Sequence, residues 1–240
     1  MRRFGTFVDS LGGKYITAED VGMTTKDMEY INMETEHVVG IPESYGGGGD
    51  PSPVTAYGVY VGMKAAAKQA YGNDDLSGKK ILVQGAGNVG GFLVDHLIAD
   101  GAEVMIADIF EDKIKKVLAD HPSVKVVDPK NVTALAMDIY APCALGATLN
   151  DHSIPNLKCQ IVAGAANNQL AEDDLHGNML KEKGVIYAPD FLINAGGLIN
   201  VYSEYTGYIK ELAMAQTEMI YDTTLRIFEK AELENIHNQK

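Results

Sequence analysis

Apolar positions along the chain follow two alternating rhythms. Short β-branched and aliphatic runs, Ile81 to Val83, Glu103 to Asp108, Val124 to Val127, Asp138 to Pro142, Gln160 to Gly164 and Gly184 to Pro189, are too brief for helices. They read as strands, with Ile81 to Val83 a buried parallel one. Between them apolar residues recur at helical spacing, as in Val89, Phe92, Leu93 and Leu97, in Glu111 to Ala119, and in the long stretch from Lys210 to about Glu234. Strands alternating with helices predict an α/β fold with a parallel, doubly wound (Rossmann) sheet. Ahead of it, Arg2 to Leu11 carries Phe4, Phe7, Val8 and Leu11 on one helical face, stopped by Gly12 and Gly13. Tyr15 to Ala18 reads as a short strand. A helix is expected from Thr24, whose spacing to Asp27 is that of a cap with a first-turn acid, to about Thr35. Ile41 to Pro53, rich in glycine and proline, predicts a loop: a hinge between compact regions, or a long surface loop with no moving part. Ser52 is then expected to cap a helix that has Pro53 at its first position and runs through Ala67. In it Gly58 and Gly62 are expected to let another element approach closely. These boundaries divide the chain into an N-terminal segment 1–45, a central domain 46–205 and a closing helix 206–240.

The candidate chemistry sits behind the Ile81–Val83 run. Gly85, Gly87 and Gly90 complete a G-x-G-x-x-G between a strand and a helix. Gly85 permits the turn, Gly87 lets a pyrophosphate reach the backbone, and Gly90 lets helix and strand pack closely. The helix N-terminus then offers unpaired N–H groups and a positive dipole end to the phosphates, so Ala86, Asn88, Val89 and Gly91 join the three glycines as candidate cofactor-binding residues. Asp108 ends the next strand near the twenty-residue offset at which an acid grips a ribose 2′-hydroxyl. Its negative charge repels a 2′-phosphate and favours NAD over NADP. A solvated strand-end carboxylate is the alternative reading of Asp108.

Composition narrows the partners. The 240 residues carry a formal charge of −13, which disfavours nucleic acid and anionic membrane surfaces. Cys143 and Cys159, the two cysteines, lack metal-ligand spacing, so neither a zinc site nor a disulfide framework is expected. With no sustained apolar run and no signal-peptide pattern, the expected compartment is the cytoplasm.

Four stretches surround the glycine loop: Gly13-Lys-Tyr-Ile-Thr-Ala-Glu-Asp-Val-Gly22, Gly49-Asp-Pro-Ser-Pro-Val-Thr-Ala-Tyr-Gly58, Ala141-Pro-Cys-Ala-Leu-Gly-Ala147 and Ala188-Pro-Asp-Phe-Leu-Ile-Asn-Ala-Gly-Gly197. In that order they closely resemble the glutamate/leucine/phenylalanine/valine dehydrogenase family, especially its leucine and phenylalanine branch. The resemblance covers nearly the whole chain. It implies NAD-dependent oxidative deamination of a branched-chain, leucine-type L-amino acid to a 2-oxo acid and ammonium, and homo-oligomers in the full-length family.

Residue by residue, the resemblance makes Asp20 the acid near the substrate amine and Asn194 a contact to the substrate or its amino group. Thr55 and Asn168, with Asn167, would hold the nicotinamide carboxamide, and Leu198, Val201 and residues 191–193 would line one wall of the pocket. A loop-capping aspartate, a buried amide tying down its loop, and a turn after a strand are the alternatives for Asp20, Asn194 and the Asn pair. Cys143 reads as a packed thiol beside the cofactor.

The family's substrate-binding lysines lie upstream of the region matching Met1, and Gly12-Gly13-Lys14 falls at a surface position of the family. The family also runs on past Lys240. The resemblance therefore implies a chain truncated at both ends, with residues 1–45 a remnant of the substrate domain, that binds NAD but has little or no deaminase activity alone. A non-catalytic NAD-binding or assembly module is the second reading. A 2-hydroxy-acid dehydrogenase would need a strand-end His paired with an acid and an Arg clamp. The arginines, Arg2, Arg3 and Arg226, lie near the two ends, and His152 and His176 read as surface or loop residues.

Overall fold

The computed structural model describes residues 1–20, 22–144 and 146–240; Val21 and Leu145, each inside one of the motifs quoted above, lie outside the described residues. The elements are, in order, α1 (Arg2–Asp9), α2 (Thr25–Asn32), α3 (Ser52–Tyr71), β1 (Lys80–Gln84), α4 (Asn88–Ala99), β2 (Glu103–Ala107), α5 (Glu111–Asp120), β3 (Lys125–Val126), β4 (Ile139–Pro142), β5 (Ile161–Val162), α6 (Asp173–Glu182), β6 (Ile186–Tyr187), α7 (Asp190–Ile193), α8 (Gly196–Tyr205) and α9 (Lys210–Glu234). They form two compact units, Met1–Val54 with Gly196–Thr217 and Thr55–Ala195 with Glu218–Lys240.

The second unit holds the doubly wound sheet that the alternation predicts. Its order is β3-β2-β1-β4-β5-β6, and every pair is parallel. Ile81, Leu82 and Val83 are fully buried in succession, as a central strand covered on both faces requires. Leu82 sits in register with Met105 on one side and Tyr140 on the other, and one core joins it to Leu149, Val162, Leu170 and Leu180. Strand order reverses between β1 and β4, so their carboxyl ends open the crevice in which such sheets bind ligands. Gly62 behaves as its spacing predicts: a Cβ there would lie 2.4 Å from Cγ2 of Ile193, so α7 packs directly on the α3 backbone. His176 departs from the surface reading. It is buried on α6, and its Nδ1 accepts the Glu172 N–H at 2.8 Å.

In the first unit, Met28, Ile31 and Val38 form a small core. The expected strand over residues 15–18 reduces to a single parallel bridge between Thr17 and Val38. The chain turns away after Asp20, whose carbonyl accepts the Met23 N–H, while Gly40 turns the partner segment at φ +75°. The capping box on α2 is present in full: the Thr24 hydroxyl accepts the Asp27 N–H, and the Asp27 carboxylate accepts the Thr24 N–H at 3.0 Å. Thr24→Ala should cost about 1 kcal/mol, read as a lower midpoint in chemical denaturation.

Two further expectations change. At the start of α3 it is Asp50 that supplies the side-chain bond, Oδ1 accepting the Ser52 N–H at 2.8 Å, and the helix begins with Ser52 itself. The glycine-rich loop is partly interior, since Gly47, Gly48 and Gly49 are buried. Glu204 of α8 holds it, accepting N–H bonds from Gly40, Ile41 and Gly48. Burial pushes the Glu204 carboxyl upward, against the pull of those three donors.

Candidate nucleotide site

Each glycine of the fingerprint meets a different constraint. Gly85 leaves β1 at φ +103°, and a Cβ there would lie 2.7 Å from both Ala144 N and Cys143 C. At Gly90 a Cβ would lie 1.9 Å from the Gly85 carbonyl oxygen. These two glycines are demanded by the protein's own packing. Gly87 is not, because a Cβ there meets nothing within 4 Å. The space over Gly87 is open and its backbone accessible, as approach of a pyrophosphate requires. Gly87 is also the N-cap of α4 and supplies no capping side chain, so Asn88 and Val89 open a helix whose positive end is left for a ligand. Gly91 closes the first turn through its N–H on the Gly87 carbonyl, and a Cβ at Gly91 likewise meets nothing.

Asp108 points at this loop. Its Oδ2 accepts the Ala86 N–H at 2.7 Å and its Oδ1 accepts the Phe110 N–H at 2.9 Å. Each oxygen keeps a further lone pair for a hydroxyl donor. The carboxylate is therefore aimed, not a loosely solvated strand end.

The loops beyond β1, β4, β5 and β6 touch in sequence along the carboxyl edge. Gly85 lies against Cys143 and Ala144, and a Cβ at Gly146 would fall 1.9 Å from Asn168 Oδ1. The Asn194 amide donates to Ala165 O at 3.2 Å and to Asn167 Oδ1. Asn168 adopts φ +47°, a left-handed conformation that asparagine tolerates better than most residues. Asn167, Asn168 and Asn194 are thus brought together, and Asn194 also performs the loop-tying role that was its alternative. Thr55 belongs to the same unit, in the first turn of α3. Burial pushes the Cys143 thiol up to about 12, which suits a packed thiol and not a nucleophile.

Asp20 belongs to the other unit and is exposed. Its neighbour Glu19 has a carboxyl raised to about 7, by burial first and then by the charges of Asp50 and Asp20. Of the expected wall residues, Phe191 and Leu198 are exposed and Val201 is buried.

Sequence reasoning passed over Gln169. It is fully buried, and its side-chain amide donates to Gly164 O at 2.8 Å and Ala166 O at 2.9 Å, closing the loop that carries the Asn pair. Its position just after Asn167-Asn168 was the only available signal. Among the described residues no group of three or more His, Cys, Asp or Glu could hold a metal, and no helix is long and apolar enough to cross a membrane.

A family model described as Glutamate/Leucine/Phenylalanine/Valine dehydrogenase matches residues 46–109 and 106–239. The chain is 50% identical over 235 residues to a leucine dehydrogenase of Bacillus cereus, covering 98% of this chain and 64% of that protein. It is 46% identical over 236 residues to an L-tryptophan dehydrogenase of Nostoc punctiforme, covering 98% of this chain and 66% of the relative. The crystal structure of L-tryptophan dehydrogenase from Nostoc punctiforme superposes with a TM-score of 0.83 at 44% identity, over 99% of this chain and 67% of that one. The chain thus spans somewhat less than two thirds of the leucine dehydrogenase's length.

Proposed function

The chain belongs to the Glutamate/Leucine/Phenylalanine/Valine dehydrogenase family, and on that premise we propose that its second unit binds NAD. We further propose that the whole protein oxidatively deaminates a branched-chain, leucine-type L-amino acid to the 2-oxo acid and ammonium. The observation that carries the cofactor reading is the Asp108 carboxylate bonded to Ala86 N beside the open backbone of Gly87. In this reading Gly87, Asn88 and Val89 receive the pyrophosphate, Ala86 ties the loop to Asp108, and Gly85, Gly90 and Gly91 shape the turn. Asp108 accepts from the adenosine ribose hydroxyls and repels a 2′-phosphate. Thr55, Asn167 and Asn168 orient the carboxamide, and Asn194 holds Asn167 while facing the substrate. NAD supplies the acceptor for the hydride that leaves Cα. Asp20 is the carboxylate that exchanges a proton with the substrate amine. The leucine-type preference rests on the likeness to leucine dehydrogenase together with the motifs of the leucine and phenylalanine branch.

Isothermal titration tests the cofactor assignment. The wild-type chain is expected to bind NAD+ well ahead of NADP+. Asp108→Ser should weaken NAD+ by about 10-fold or more, through loss of charged hydrogen bonds, and narrow the gap to NADP+. Equal affinity of the wild type for the two dinucleotides, or affinity for neither, rules the assignment out. For the chemistry, NADH consumption with a branched 2-oxo acid must depend on ammonium; consumption without ammonium would instead favour a hydroxy-acid dehydrogenase.

A further inference from the structure

The loop that carries Asn167 and Asn168 has little regular structure of its own. It leaves β5 through Gly164, where a Cβ would lie 2.2 Å from Pro142 O, so no side chain can shape it there. It passes through the left-handed Asn168 and ends at the buried Gln169, whose side chain closes it from within. The backbone of Gln169 is held from outside the loop on both sides: its carbonyl accepts the Leu149 N–H at 3.0 Å, and its N–H is taken by α7. Asp190, the first residue of α7 and only 4% exposed, accepts the Gln169 N–H through Oδ2 at 3.0 Å. Its other oxygen, Oδ1, accepts the side-chain amide of Gln239 at 2.9 Å. One turn later, at the other end of α7, Asn194 bonds Ala165 O and Asn167 Oδ1. The short helix grips the loop from both ends, and Ile193 pins the helix itself against Gly62.

We propose that Asp190 is a positioning residue for the nicotinamide end of the site, its buried carboxylate, steadied by Gln239, setting the loop that presents Asn167 and Asn168. This rests on the assignment of those two residues to the carboxamide in the proposed function. The chemistry explains why an acid stands here. Gln169 and Gln239 both donate to Asp190, the Tyr187 hydroxyl faces it as a further donor, and an ionised carboxylate is acceptor-only. An asparagine of nearly the same shape would turn an NH2 group toward one of these donors, leaving a buried polar group unmatched.

The test compares NAD+ with ADP-ribose, which lacks the nicotinamide, on the intact chain. Asp190→Asn is expected to weaken NAD+ by about 10-fold while ADP-ribose stays within about twofold, because the adenosine and pyrophosphate contacts lie at the Gly85–Asp108 end. A general loss of fold would lower both affinities together. Gln239→Glu gives a second route if Asp190→Asn does not fold, since it sets a second carboxylate against Asp190 and should show the same split. Equal losses for the two ligands, no loss for either, or a wild type that binds ADP-ribose as tightly as NAD+ overturns the inference. A wild type that binds neither ligand overturns the proposed function itself.

Discussion

Gly90→Ala is expected to abolish dinucleotide binding and to destabilise the second unit by about 1–3 kcal/mol, the range for overpacking a close contact. The added methyl would fall 1.9 Å from the Gly85 carbonyl oxygen. Backbone relaxation offers little escape, because Gly85 is itself pressed on Cys143 and Ala144 at φ +103°. Gly87→Ala makes the informative contrast. Its methyl meets no protein atom within 4 Å, so the fold should persist while the group occupies the space a pyrophosphate needs. Thermal unfolding and NAD+ titration of both variants separate the effects: Gly90→Ala loses stability and binding, Gly87→Ala binding alone. NAD+ affinity of the wild-type order in Gly87→Ala would remove the pyrophosphate from this loop.

Glu19 is expected to make the first unit less stable as pH rises. Burial, then Asp50 and Asp20, lift its carboxyl from 4.5 to about 7 in the folded chain. A folded pKa above the unfolded value means that the native state binds the proton more tightly. The resulting stabilisation is complete below about pH 4.5 and is lost as pH rises through about 7. Because Glu19 is part-exposed, solvent screening reduces the effect below the full value of such a shift. Glu19→Gln should match the wild type near pH 4.5 and exceed it above pH 7, with a Tm difference on the order of a few degrees. A Tm difference that stays constant from pH 4.5 to 8 would show that Glu19 does not titrate in this window. Asp50→Asn should flatten the wild-type dependence in the same direction, since Asp50 is the larger of the two charges acting on Glu19.

Legibility in the sequence followed the reach of the interactions. The six strands and the long α9 were readable because each is specified by its own apolar run, and the glycine loop because its constraints lie within a few residues. The α2 cap was likewise local. By contrast, α8 begins with Gly196 and Gly197, residues of low helix propensity. Gly196 is there because a Cβ would lie 2.2 Å from Val54 O, a contact far away in sequence. The braces from Glu204 to Gly48 and from Asp190 to Gln169 reach across 156 and 21 residues, and no spacing rule points to them. His176 escaped for the same reason. Its ring is buried among residues brought together by folding, while its local sequence is acidic and polar.

The bond from Gln239 to Asp190 has a practical consequence. An affinity handle appended after Lys240 would begin two residues from Gln239, whose amide steadies the loop of Asn167 and Asn168 through Asp190. A handle before Met1 instead adjoins the exposed start of α1. Cofactor affinities measured with the purification peptide at the carboxyl end should therefore be repeated after its cleavage.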